Sequence, residues 1–128
     1  MIRGVHLLLY SRDAEADRAF LRDVLGFASV DAGHGWLIFG LPPAELAVHP
    51  AEGSSAQNSA EDNPTGGAIY LMCEDLAATI YSLNAKGAVT SEVQNQRWGA
   101  VTTLRLPSGA RLGLYQPRHA TALHLAAH

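Results

Sequence analysis

The chain repeats itself. Laid against its own sequence at an offset of about 62 residues, it shows the same succession of elements twice within 128 residues. A fixed internal offset constrains architecture more than local propensity does. Val5 to Tyr10 is a short β-prone run followed by Ser11-Arg12-Asp13, and Ile69 to Cys73 is another followed by Glu74-Asp75. Each run leads into a predicted helix. In the first, Asp13 is placed to cap, Glu15 and Asp17 suit the positive helix start, and Phe20, Leu21, Val24 and Leu25 form the apolar stripe before Gly26. In the second, Asp75 is placed to cap, and Leu76, Ile80 and Leu83 recur at helical spacing before Lys86-Gly87.

Three strand candidates follow each helix: Ala28 to Val30, Gly35 to Phe39 and Glu45 to His49, then Val89 to Val93, Ala100 to Leu106 and Arg111 to Tyr115. The last two of each half are expected to pair as a hairpin. Their turns correspond, with Leu41-Pro42-Pro43-Ala44 answering Leu106-Pro107-Ser108-Gly109 and each proline where no ladder N–H is needed. The expected fold is α+β: two tandem βαβββ units forming curved mixed sheets around a cavity. The chain is read as one domain, with unit one at about 3–50, a linker at about 51–66, unit two at about 67–117 and a tail at 118–128. The linker is rich in Ser, Asn, Gly, Ala and acidic residues and has no apolar periodicity.

Composition narrows the partners. With 48% hydrophobic and 16% charged residues the chain has ample material for a core. A formal charge of -3, one lysine, eight arginines and no basic run exclude the electrostatic footprint of a nucleic-acid or anionic-membrane binder. A small-molecule or protein partner is expected. Cys73 is the single cysteine, so no intrachain disulfide or thiolate zinc cluster is available, and in its apolar run it reads as a small buried hydrophobe. The apolar start is too short for a signal peptide and no run reaches about 18 apolar residues, which reads as a cytoplasmic protein.

Several residues carry a resemblance: the paired βαβββ units, His6 in the first strand, Leu25-Gly26-Phe27 after the first helix, and Pro-Ser-Gly-Ala-Arg-Leu-Gly-Leu-Tyr closing at 107–115. Over residues 3–117 the chain resembles the vicinal oxygen chelate superfamily, which includes glyoxalase I, extradiol dioxygenases, fosfomycin-modifying enzymes and bleomycin-resistance proteins. One scaffold carries many chemistries there, so the resemblance speaks to fold more than to reaction. It implies metal ligands in the first and last strand of each unit, and a homodimer. His6 falls on the first of those positions. The counterparts in unit two are Ala68 (or Gly67) and Gly113, none of which coordinates through a side chain. In the last strand of unit one, one alignment places Ala47 there and another places Glu45. A zinc or iron site normally takes at least three donors at about 2.0–2.2 Å. No resident cofactor is therefore expected; the alternative is a Zn, Ni, Mn or Fe ion on His6 and Glu45.

Side-chain alternation places His6, Leu8, Tyr10, Glu45, His49, Tyr70, Met72, Arg111 and Tyr115 on the inner faces, joined by Phe39 or Trp36. An inward Glu45 needs a partner, and Arg111 is the expected one. Trp98, in Arg97-Trp98-Gly99 ahead of a strand, would stand at the rim, and His34, His119, His124 and His128 show no ligand spacing. An aromatic lining with a few polar directors suits an organic ligand. Three functions follow. The leading one is a binder of an aromatic or hydrophobic small molecule without a complete metal centre. The second is a metal-dependent lyase or dioxygenase. The third is a metal-free enzyme in which His6 or Glu45 moves a proton.

Overall fold

A computed structural model describes residues 1, 5–48, 50 and 67–125. The two helices obey the offset to the residue: α1 is Ala14–Asp23 and α2 is Leu76–Ala85, each 62 positions apart at both ends. Their caps obey it too. Asp13 accepts the Ala16 N–H and Asp75 accepts the Ala78 N–H, each quenching one of the unpaired donors of a first turn.

The strands follow the repeat in the second half only. Before α2 runs β3 (Tyr70–Met72), and after it come β4 (Gln94–Gln96), β5 (Gly99–Arg105) and β6 (Arg111–Pro117). They form one sheet in the order β3-β6-β5-β4, with β3 parallel to β6 and the other pairs antiparallel. The expected hairpin is present. Leu106 N–H donates to the Ala110 carbonyl and Gly109 N–H to the Leu106 carbonyl, closing the turn that Pro107 opens. The strand expected at Val89 to Val93 is represented by an isolated bridge from Thr90 to Leu104, with β4 starting at Gln94.

Unit one departs from its expected pattern. Its sheet is a two-stranded ribbon of β1 (Ser29–Asp31) and β2 (Leu37–Phe39), so its hairpin joins the first two strands after the helix and not the last two. Residues 5–10 and 41–48 form no strand. Both runs leave large apolar side chains in the open: Val5 is 85% exposed, Leu8 65%, Leu46 90% and Val48 89%. The physical reason is pairing. A strand must satisfy its N–H and C=O groups on a neighbour, and β propensity does not supply the neighbour.

The core lies behind the four-stranded sheet. Leu104 and Leu114 are fully enclosed, with Leu76, Leu83 and Ala88 around them, and Phe20, Val24 and Leu25 of α1 pack on this cluster. Unit one thus lends its helix stripe to the core of unit two. Alternation along β5 and β6 sends Thr102, Leu104, Leu112 and Leu114 to the helix side, and leaves Gly99, Val101, Thr103, Gly113 and Tyr115 on the other. That second face positions the site. Among the described residues no helix is long and apolar enough to cross a membrane.

Candidate functional site

Three aromatic rings meet on the open face. Tyr70 projects from the first position of β3, Tyr115 from β6, and Trp98 from the residue ahead of β5. Their centroids lie 5.7 Å (Tyr70–Tyr115), 5.6 Å (Trp98–Tyr115) and 6.5 Å (Tyr70–Trp98) apart, each pair edge-to-face. This geometry sets the positive ring edge against the negative ring face. Two glycines make room for it. Tyr70 is in register with Gly113, and a methyl group there would overlap the tyrosine ring. A methyl on Gly99 would stand 3.2 Å from the Tyr115 ring and 2.6 Å from the Gln116 carbonyl. Tyr115 is 9% exposed and forms the floor, whereas Tyr70 at 48% and Trp98 at 44% stay available to a ligand.

Polar groups gather at the Tyr115 end. The hydroxyl lies 3.2 Å from His119 Nε2, and His119 Nδ1 is 2.7 Å from the Ala120 carbonyl. Glu45, half-buried, accepts the Ala122 N–H at 2.6 Å, so the unit-one segment and the tail converge there. Burial, and then the Glu45 charge, push the Tyr115 phenol above its ordinary value. Arg118 fixes the start of the tail by donating to the Gln96 carbonyl, Asn95 Oδ1 and, through its backbone, the Trp98 carbonyl. His119, which shows no ligand spacing in the sequence, is brought to the Tyr115 hydroxyl by the fold. Its spacing of four residues from Tyr115 was the signal available, although it has no meaning until the chain past Pro117 turns back.

The expected site residues divide. Tyr70, Trp98 and Tyr115 come together, and Met72 is in register with Tyr115. Arg111 begins β6 on the same face but forms no ion pair with Glu45; the single ion pair among the described residues is Arg22–Asp23. Glu45 lies off any strand and finds a backbone N–H where a guanidinium was expected. His6, Leu8 and Tyr10 lie on the unpaired segment, all exposed, and Phe39 is half-buried in the separate ribbon. Trp36 packs under Arg18, whose guanidinium carbon is 4.5 Å from its centroid. His49 lies outside the described residues. Half-burial raises the Cys73 thiol, which leaves it protonated at neutral pH and unsuited to attack.

These residues do not fit a metal centre. Among the described residues no three His, Cys, Asp or Glu side chains gather. The equivalent position on β6 is Gly113, and the space a donor would need there is filled by the Tyr70 ring.

The sequence profile of the Glyoxalase/Bleomycin resistance protein/Dioxygenase superfamily matches residues 3–114. The chain belongs to this superfamily. Solved structures share the superfamily fold with it. TnmS3, an antibiotic binding protein from a Streptomyces species, is 22% identical with a TM-score of 0.60, over 91% of this chain and 97% of that one. A lactoylglutathione lyase from Agrobacterium tumefaciens is 17% identical with a TM-score of 0.58, over 89% and 92%. A superfamily member from Sphaerobacter thermophilus is 19% identical with a TM-score of 0.56, over 90% and 98%. No curated protein matches the chain significantly. In the superfamily a divalent metal is common, and among the described residues of this chain no group of three such donors gathers.

Proposed function

We propose that this superfamily member is a small-molecule binder, holding a planar aromatic or hydrophobic compound against Tyr70, Trp98 and Tyr115 without an ion between ligand and protein. The carrying observation is the edge-to-face cluster itself, set on two glycines and half open to solvent. Rings that already pack edge-to-face lose less ordering entropy when a flat ligand lands than free side chains would. Each aromatic contact contributes about 0.5–1.5 kcal/mol beyond the area it covers. The fold likeness to an antibiotic binding protein is in keeping with this reading.

The binding unit is a homodimer. The exposed apolar runs at 5–10 and 41–48 have the alternation of strands but no ladder partner among the described residues, and a second copy supplies both a ladder and an apolar cover. The experiment is metal analysis with thermal melting, against zinc, nickel, manganese and ferrous iron and against planar aromatic compounds. A binder of this kind shifts its melting temperature with the aromatic compounds and not with the ions. A stoichiometric metal, with a shift abolished by His6→Ala, would instead favour a lyase or dioxygenase.

A further inference from the structure

The face that carries the three rings also carries a pair of arginines. Arg105 ends β5 and Arg111 begins β6, and the two are directly in register across the antiparallel ladder. Residues opposed in this way project to one side of the sheet, here the side of Thr103, Gly113 and Tyr115. Both arginines are exposed, and among the described residues neither meets a carboxylate within ion-pair distance. Like charges placed opposite each other repel. Arg111 stands two residues before Gly113, the residue under the Tyr70 ring. At about 3.4 Å per strand residue this is roughly 7 Å. A guanidinium fork is therefore within one side-chain length of the aromatic surface.

We infer that Arg105 and Arg111 form an anion subsite, and that the ligand is an aromatic acid whose carboxylate, sulfonate or phosphate sits between the two guanidinium groups while its ring system lies on Tyr70 and Trp98. This rests on the aromatic reading above and adds the charge and the orientation of the ligand. Glu45 stands at the other end of the face, beside Tyr115. The face is cationic at the hairpin and anionic at the tail, so an acid binds one way round. Charge-assisted bonds to a planar guanidinium are about twice as strong as neutral ones and geometrically selective.

The test uses two fluorescent probes of nearly one shape, anilinonaphthalene sulfonate and its uncharged parent phenylnaphthylamine, titrated into the intact protein at low salt. The sulfonate is expected to bind about fivefold or more tighter. Arg105→Gln with Arg111→Gln should abolish that preference, leaving the uncharged probe within about twofold, while Arg12→Gln with Arg22→Gln, an equal change of charge elsewhere, should preserve it. Replacing the pair by lysines tests geometry and should restore only part of the preference. Equal affinity for both probes, or a preference that survives the double Gln variant, would overturn the anion subsite alone. Failure of both probes to bind, or binding indifferent to Trp98→Ala, would overturn the aromatic reading and the subsite with it. The arginines are exposed, so an unchanged melting curve for the variants confirms that folding is not what is being read.

Discussion

Asp17 and Ser108 are joined twice across the chain. Asp17 Oδ1 accepts the Ser108 backbone N–H at 3.0 Å and Oδ2 accepts its hydroxyl at 2.7 Å, over a separation of 91 residues. The Ser11 hydroxyl donates to the same Oδ2 at 2.7 Å, and Asp17 is only 6% exposed. A buried carboxylate is tolerated when its oxygens are occupied in this way. The contact fastens α1 to the turn of the β5–β6 hairpin, and so holds unit one's helix on unit two's core.

Removing that carboxylate strands two serine hydroxyls and one backbone N–H. Asp17→Ala is expected to cost about 2–3 kcal/mol of unfolding free energy. Asp17→Asn, which keeps one acceptor, should cost less. Urea denaturation checks both, and a loss below about 0.5 kcal/mol for the alanine would show that the latch contributes little.

Gly113 tests the packing of the rings. Gly113→Ala puts a methyl group into the space of the Tyr70 ring. The ring must leave or the strands must part, at a cost of about 1–3 kcal/mol. Near-ultraviolet circular dichroism should lose the signal of coupled aromatics. Tyr70→Ala combined with Gly113→Ala should recover part of the stability, because the clash is then gone.

How much of this was legible in the sequence depends on the range of the interactions. Asp13 and Asp75 cap their helices as read, because a cap needs only the next three residues. The hairpin at Leu106 to Ala110 was readable for the same reason. Tyr70 and Tyr115 were placed on one face by alternation alone, but their contact depends on Gly113, which the sequence presented as a missing ligand and the structure presents as the seat of a ring. Val5 to Tyr10 and Glu45 to Val48 carry strand patterns without strands, since pairing is set by a distant partner. Asp17 read as a helix-start charge, and its real partner lies in the other unit.

Tyr115 predicts an alkaline limit. Its phenol is raised by burial and then by Glu45, so the unfolded chain ionises first as the pH climbs. Stability from this group is complete below the unfolded value of about 10 and is lost as pH rises from there through the folded value. Glu45→Gln should bring the last phenolic step down, though not to the unfolded value, because burial remains. Absorbance at alkaline pH follows the titration, and an unchanged last step would remove Glu45 from the neighbourhood of the ring.

The unpaired runs predict assembly. Light scattering should give twice the chain mass of 13.6 kDa. Charge placed in both runs, as in Leu8→Arg with Leu46→Arg, should shift the population to single chains by destroying the apolar cover. A wild-type mass of 13.6 kDa would contradict the dimer.

The aromatic face is expected to bind a flat molecule unaided by metal. The most direct measurement titrates chelator-treated protein with phenylnaphthylamine and compares Trp98→Ala. Saturable binding that weakens about tenfold in the variant, with equal affinity before and after chelation, is the predicted result. Binding that disappears with the chelator and returns with an added ion, or that ignores Trp98, would contradict it.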